Sequence, residues 1–143
     1  MNIYHSYFRF WRNFPDKSRF CWIAVTKSVP PDYFGPVFKK LAPIGNRFDK
    51  WVEPVFNEKM FFIEYVKMLK EMDKEKTLEE LKSMSKQGKD IVLLNWEDLT
   101  RKSEGRVAYA WLFGMSMDDA DRRDLERVLA REKLGVDDRM FEL

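Results

Sequence analysis

The chain has 143 residues, 45% of them hydrophobic, 15% aromatic and 35% charged, and its 26 Lys and Arg against 24 Asp and Glu give a net charge of +2. That is enough chain for one domain with an ordinary hydrophobic core, and the composition excludes a collagen, a disulfide scaffold and a wholly disordered chain. One Cys and one His exclude a disulfide and a Cys/His zinc site within one chain, and the balanced charge excludes a surface that is basic all over.

Ile3 to Phe8 is a short aromatic-rich run and reads as the first strand. Phe20 to Thr26, rich in β-branched and aromatic residues, reads as a second, buried strand. Pro30 and Pro31 break the chain, Asp32 to Lys40 reads as a turn with one or two helical turns, and Asn46 to Val52 as a short helix before Pro54. Asn57 to Met72 is the clearest helix, with Asn57 as N-cap and Phe62, Tyr65, Val66, Leu69 and Met72 on one face. Thr77 to Gln87 is read as the next helix, with Thr77 and Glu80 at capping-box spacing and Gly88 as its stop.

Asp90 to Trp96 is a continuous apolar run, the signature of a strand covered on both faces. Ser103 to Phe113 follows as a helix, capped by Ser103 and stopped by Gly114. Met117 to Leu134 is predicted as one last amphipathic helix, its N-terminus loaded with Asp118, Asp119 and Asp121 and its stripe made of Leu125, Val128 and Leu129.

Strand, crossover helices, strand, helix is the pattern of an α/β fold: a small three-layer, mostly parallel sheet of three or four strands flanked by helices. Residues 1–116 are assigned to this domain. Residues 117–143 are assigned to a C-terminal helical extension that packs on the domain or on a second copy of the chain, forming a homodimer. Ligands in such sheets sit beyond the carboxyl ends of the strands. Those ends carry His5 and Ser6, then Lys27 and Ser28, then Asn95 and Glu97, with Ser103 and Arg106 at the following helix start.

Three segments resemble a known family. Tyr4-His5-Ser6-Tyr7-Phe8 with Asn13-Phe14-Pro15 is similar to its opening. Tyr33-Phe34-Gly35 with Lys39-Lys40-Leu41-Ala42-Pro43 resembles its Trp-Tyr-x-Gly and Lys-Lys-Leu-Ala-Pro segments, and Gly88 to Glu97 its last strand, Gly-Lys-Asp-Ile-x-Leu-Leu-Cys-Tyr-Glu. The helix ending Ala110-Trp111-Leu112 fits as well. The family is domain of unknown function 488, a set of uncharacterised microbial α/β proteins, and the resemblance spans roughly residues 3–113. Its signature, Cys-x-Glu and then Cys-His-Arg at a helix start, is largely lost: laid on without gaps, the first Cys falls on Asn95, the Glu on Glu97, and Cys-His-Arg on Ser103, Glu104 and Gly105, with Arg106 one position off. Thiolate or soft-metal chemistry therefore does not carry over.

The favoured expectation is a non-catalytic ligand-binding or protein-interaction domain that takes a small anionic or nucleotide-like ligand at the strand ends. It needs no cofactor and no metal. An alternative is an enzyme acting through Glu97 on a nucleotide or nucleobase-like substrate; a Ser103–His5–Glu97 trio is conceivable, but no Gly-x-Ser-x-Gly elbow supports it. A third reading comes from an asymmetry that the net charge hides. Residues 1–60 carry +5 and hold most of the aromatics, while residues 61–143 carry −3. Tyr7, Arg9, Trp11 and Arg12 then form a candidate nucleic-acid face of cations between stacking rings. A diverged domain that sequesters a signalling nucleotide is a fourth reading. Met1 to Trp11 is no signal peptide and no run is long enough to span a membrane, so a cytoplasmic location is expected.

Overall fold

A strand with no polar alternation has to be covered on both faces. The computed structural model describes residues 1–45, 47–48, 58–96 and 104–134. In it β3 (Ile91–Asn95) is buried at every position and lies between β1 (Ile3–Tyr7) and β2 (Cys21–Ala24), in the order β1-β3-β2. All pairing is parallel, with Ile3 opposite Ile91 on one side and Cys21 opposite Ile91 on the other.

Side chains alternate across this sheet, as the pleat requires. Ile3, Ile23, Ile91 and Leu93 face one cluster, where they meet α2 (Glu58–Lys70), α3 (Lys74–Ser83), α4 (Glu104–Phe113) and α5 (Met117–Asp121). Tyr4, Trp22, Val92 and Leu94 face the other, against α1 (Phe8–Asn13) and α6 (Leu125–Leu134). Crossover handedness accounts for the two layers. The β1-to-β2 connection steps two places across the sheet and the β2-to-β3 connection steps one place back. Right-handed crossovers in opposite directions put their helices on opposite faces.

The sequence reading of a three-layer parallel α/β fold holds, with three strands among the described residues. Several local expectations change. The 32–40 segment forms an isolated bridge, Ala24 to Val37, and a 3₁₀ turn over Lys39–Leu41. Helix α3 starts one turn earlier than the Thr77 cap implies: Asp73 accepts from the Lys76 amide, and Thr77 is buried inside the helix, donating to the Asp73 carbonyl. Gly88 is not its stop. The helix ends at Ser83, and Gln87 and Gly88 both take positive φ in a separate tight turn.

The predicted Met117–Leu134 helix is broken. It forms α5 and α6 around Arg122 to Asp124, and Asp124 caps α6 by accepting from the amides of Glu126 and Arg127. The break lays Asp124 along β1 as a parallel bridge to His5. An unbroken helix could not offer backbone to that strand edge. Ala120, Leu125 and Val128 pack into the two clusters of the same chain, so the described part of 117–143 packs on the domain itself. Asn57, most of the predicted 46–52 helix, and residues 135–143 lie outside the described residues.

Helix α4 ends as the sequence predicts. Gly114 has φ of +60°, its amide donates to Trp111, and Met115 donates to Ala110. These are the two bonds of a Schellman closure. A Cβ at Gly114 would touch nothing within 4 Å, so Gly114→Ala isolates the backbone cost. It should lower stability by about 1 kcal/mol in urea denaturation, with no change in the m-value.

Candidate functional site

The chain leaves β1 for α1 on one face and β3 for α4 on the other, although β1 and β3 are hydrogen-bonded neighbours. Adjacent strands with diverging exits open a crevice at their carboxyl ends. His5, Ser6 and Asn95 meet at this seam, each 1–2% exposed.

Asn95 spans the seam. Its Nδ2 donates to the Ser6 carbonyl at 2.6 Å, which fixes the amide orientation and leaves Oδ1 as an acceptor. A Cβ on Gly105, in the first turn of α4, would stand 2.7 Å from that Nδ2 and 3.8 Å from the His5 Cβ. Only glycine lets the helix come this close.

His5 is turned toward α4 and α5. Its Nε2–H donates to the Ala120 carbonyl at 2.6 Å and its ring packs 5.4 Å from that of Tyr109. Burial outweighs this bond and pulls its pKa down to about 4. The ring is neutral at physiological pH, with one nitrogen committed, and is a poor proton acceptor for a nucleophile.

Asp124 is the counterpart on the α6 side. It is 1% exposed, and burial pushes its carboxyl up to about 7 against the pull of the two α6 amides. Beside it Asp121 holds Arg106 at 3.2 Å and Arg127 at 2.5 Å. Three buried side-chain oxygens in this region have no hydrogen-bond partner among the described residues: Ser6 Oγ, Asn95 Oδ1 and Asp124 Oδ2.

The predicted residues separate as follows. His5, Ser6 and Asn95 come together. Arg106 stands on α4, engaged by Asp121. Lys27 and Ser28 are exposed in the loop after β2, where the Trp96 indole donates to the Ser28 carbonyl. Glu97 and Ser103 lie outside the described residues. The nucleic-acid residues are largely occupied within the fold: Tyr7 donates to Glu126, Arg12 makes a two-point pair with Asp32, and Trp11 packs on Tyr33, while Arg9 is exposed.

Sequence reading missed Asp124, Asp121 and Gly105. The signal for Asp124 is an Asp placed directly before the Leu125 stripe, the pattern of a helix cap. Reading 117–134 as one long amphipathic helix hides it. Among the described residues no group of three or more His, Cys, Asp and Glu is placed to hold a metal ion, and no helix is long and apolar enough to cross a membrane. Comparison with known proteins finds no matching family model, curated protein or solved structure.

Gly105→Ala should destabilise the fold by roughly 1–3 kcal/mol, because Asn95 must leave the Ser6 carbonyl. The two buried titrating groups act with opposite sign. Asp124 has a raised pKa, so the folded state holds the proton between about pH 4 and 7 and stability falls as pH rises through that window. His5 has a lowered pKa, so the unfolded state holds the proton between about pH 4 and 6.5 and stability is lost as pH falls. Asp124→Asn, which keeps the cap, should raise stability at pH 8 by roughly 1–3 kcal/mol and change little at pH 4. His5→Gln should flatten the acid limb. Thermal melts across this range check both.

Proposed function

We propose that this chain is a non-catalytic binding protein that holds a small, uncharged polar ligand at the carboxyl ends of β1 and β3. The observation that carries this reading is that three buried oxygens around these strand ends, Ser6 Oγ, Asn95 Oδ1 and Asp124 Oδ2, have no hydrogen-bond partner among the described residues. Each such group costs about 1–3 kcal/mol unless something pairs with it. Their location at the seam where neighbouring strands exit to opposite faces is where this architecture gathers ligands.

The chemistry selects a donor-bearing ligand. Asn95 Oδ1 can only accept, and Ser6 Oγ can do either. Asp124 is half protonated near neutrality and tolerates an N–H or O–H better than an anion. Arg106 and Arg127 already share Asp121, so both guanidiniums are held on a carboxylate that offsets one of their two charges. The resemblance to the domain of unknown function 488 family supports binding over catalysis, since Asn95, Ser103 and Glu104 stand where that family has its thiols and His.

Native mass spectrometry of the purified protein tests the reading. A retained adduct of small-molecule mass is expected in the parent and is expected to be lost in Ser6→Ala. That variant removes a hydroxyl that has no partner among the described residues and should melt no lower than the parent when both are stripped of ligand. Bare protein only, together with a Ser6→Ala variant that melts identically under all conditions, would mean that ordinary buried water satisfies these oxygens and would overturn the proposal.

A further inference from the structure

A second feature lies at the other side of the sheet. The outer edge of β2 borders a groove of about 560 Å³, within the size range of small-molecule sites. Trp11, Trp22, Tyr33 and Phe34 line it, and Lys86 and Lys89 stand at its rim. None of these residues belongs to the β1–β3 seam, so a ligand in this groove is independent of one at the seam.

The wall is built to stay in place. The Tyr33 hydroxyl shares its one proton between the carbonyls of Trp22 and Pro36, at 3.1 and 2.6 Å, and the Trp11 and Tyr33 rings meet edge to face at 5.2 Å. The Trp22 indole donates to the Lys17 carbonyl at 2.7 Å. Phe34 is different. It is 92% exposed, an aromatic ring at the mouth of the groove that folding does not use.

The backbone that carries the two lysines is fixed too. Gln87 and Gly88 both have positive φ, near +60° and +66°, and the Lys89 amide donates to the Lys86 carbonyl. This is the form of a type I′ turn, and it sets the two lysines at its two ends. Positive φ at Gln87 is uncommon for a residue with a side chain. Ser85 ties the turn down by donating to the Lys89 carbonyl at 2.6 Å. Neither lysine forms an ion pair among the described residues, and the neighbouring carboxylate, Asp90, accepts from the Asn2 amide. The other nearby cations are engaged: Arg12 by Asp32, and Lys17 by two backbone carbonyls and the Trp11 ring.

We infer that this groove binds a free mononucleotide, with its base against Phe34 and Trp11 and its phosphate between Lys86 and Lys89. An exposed ring offers a stacking face to a base, and two ammonium groups without a carboxylate partner among the described residues complement one phosphate. A strand of nucleic acid is the poorer fit, because its affinity grows with the number of phosphates neutralised and the described residues around the groove offer only these two uncommitted lysines. Pro36, which also lines the groove, pairs with Ala24 of β2.

Titration of the ¹⁵N-labelled full chain with AMP tests this, read by NMR. Saturable shifts are expected at the Trp11 indole and at the Gln87 and Gly88 amides, with a Kd below about 1 mM. Lys86→Glu with Lys89→Glu should weaken AMP at least about tenfold, and Phe34→Ala by about three- to tenfold; the three side chains are exposed or half-buried at the surface, and the variants should keep the parent's melting temperature. Adenosine alone and inorganic phosphate alone should each bind much more weakly than AMP. No saturable shift at millimolar AMP would overturn the inference. So would unchanged affinity in the folded charge-reversal variant, or tighter binding of a single-stranded oligonucleotide with a steep salt dependence.

Discussion

The insertion of β3 between two strands that precede it in the chain is the constraint on which everything else rests. A central parallel strand has hydrogen-bonded neighbours on both edges and side chains on both faces, so Ile91 to Asn95 can be stable only inside a complete sandwich. That requirement recruits α1 and α6 to one side and α2 to α5 to the other. It also places Asn95, the last residue of the strand, where three elements converge. A polar residue at the end of a fully buried strand must find its partners locally, and Asn95 does so across the seam at Ser6.

The polar interior follows from the same geometry. His5 and Asp124 face each other as backbone partners on a strand edge with almost no solvent. Desolvation disfavours charge on both, which lowers the base and raises the acid. Between about pH 4 and 7 both are predominantly uncharged, and their opposing contributions to the pH dependence of stability largely cancel. The nearby charges that do persist are paired, with Asp121 serving two arginines from different helices and so joining α4, α5 and α6.

How much of this was legible depended on whether the information was local. The uninterrupted run at 91–95 and the glycine at 114 announce a covered strand and a helix stop through their own chemistry, and both are as expected. The seam was legible as a place, because strand ends can be found from strands. Its occupants were not. Asp124 reads locally as one more charge on a charged helix, and only its pairing with His5, 119 residues away, makes it a buried cap. Thr77 misled for the opposite reason: its capping pattern is genuine chemistry, but Asp73 offers a carboxylate one turn earlier, and the threonine hydroxyl was free to turn inward.

The break between α5 and α6 carries one more consequence. A three-stranded sheet has two outer edges, each a row of backbone groups able to recruit a strand from another molecule. The residues that break the helix cover one of them, since the His5 amide donates to Arg123 and Asp124 runs beside β1. The loop after Pro36 covers the other at Ala24. Odd residues of β2 bond to β3, so the backbone groups of Phe20 and Trp22 face outward beyond that cover, and the Trp22 carbonyl is already taken by Tyr33. Lateral growth of the sheet is thereby confined to a stretch too short to template a strand. A helix interruption that looks like a defect in amphipathic patterning serves as protection against edge-to-edge aggregation.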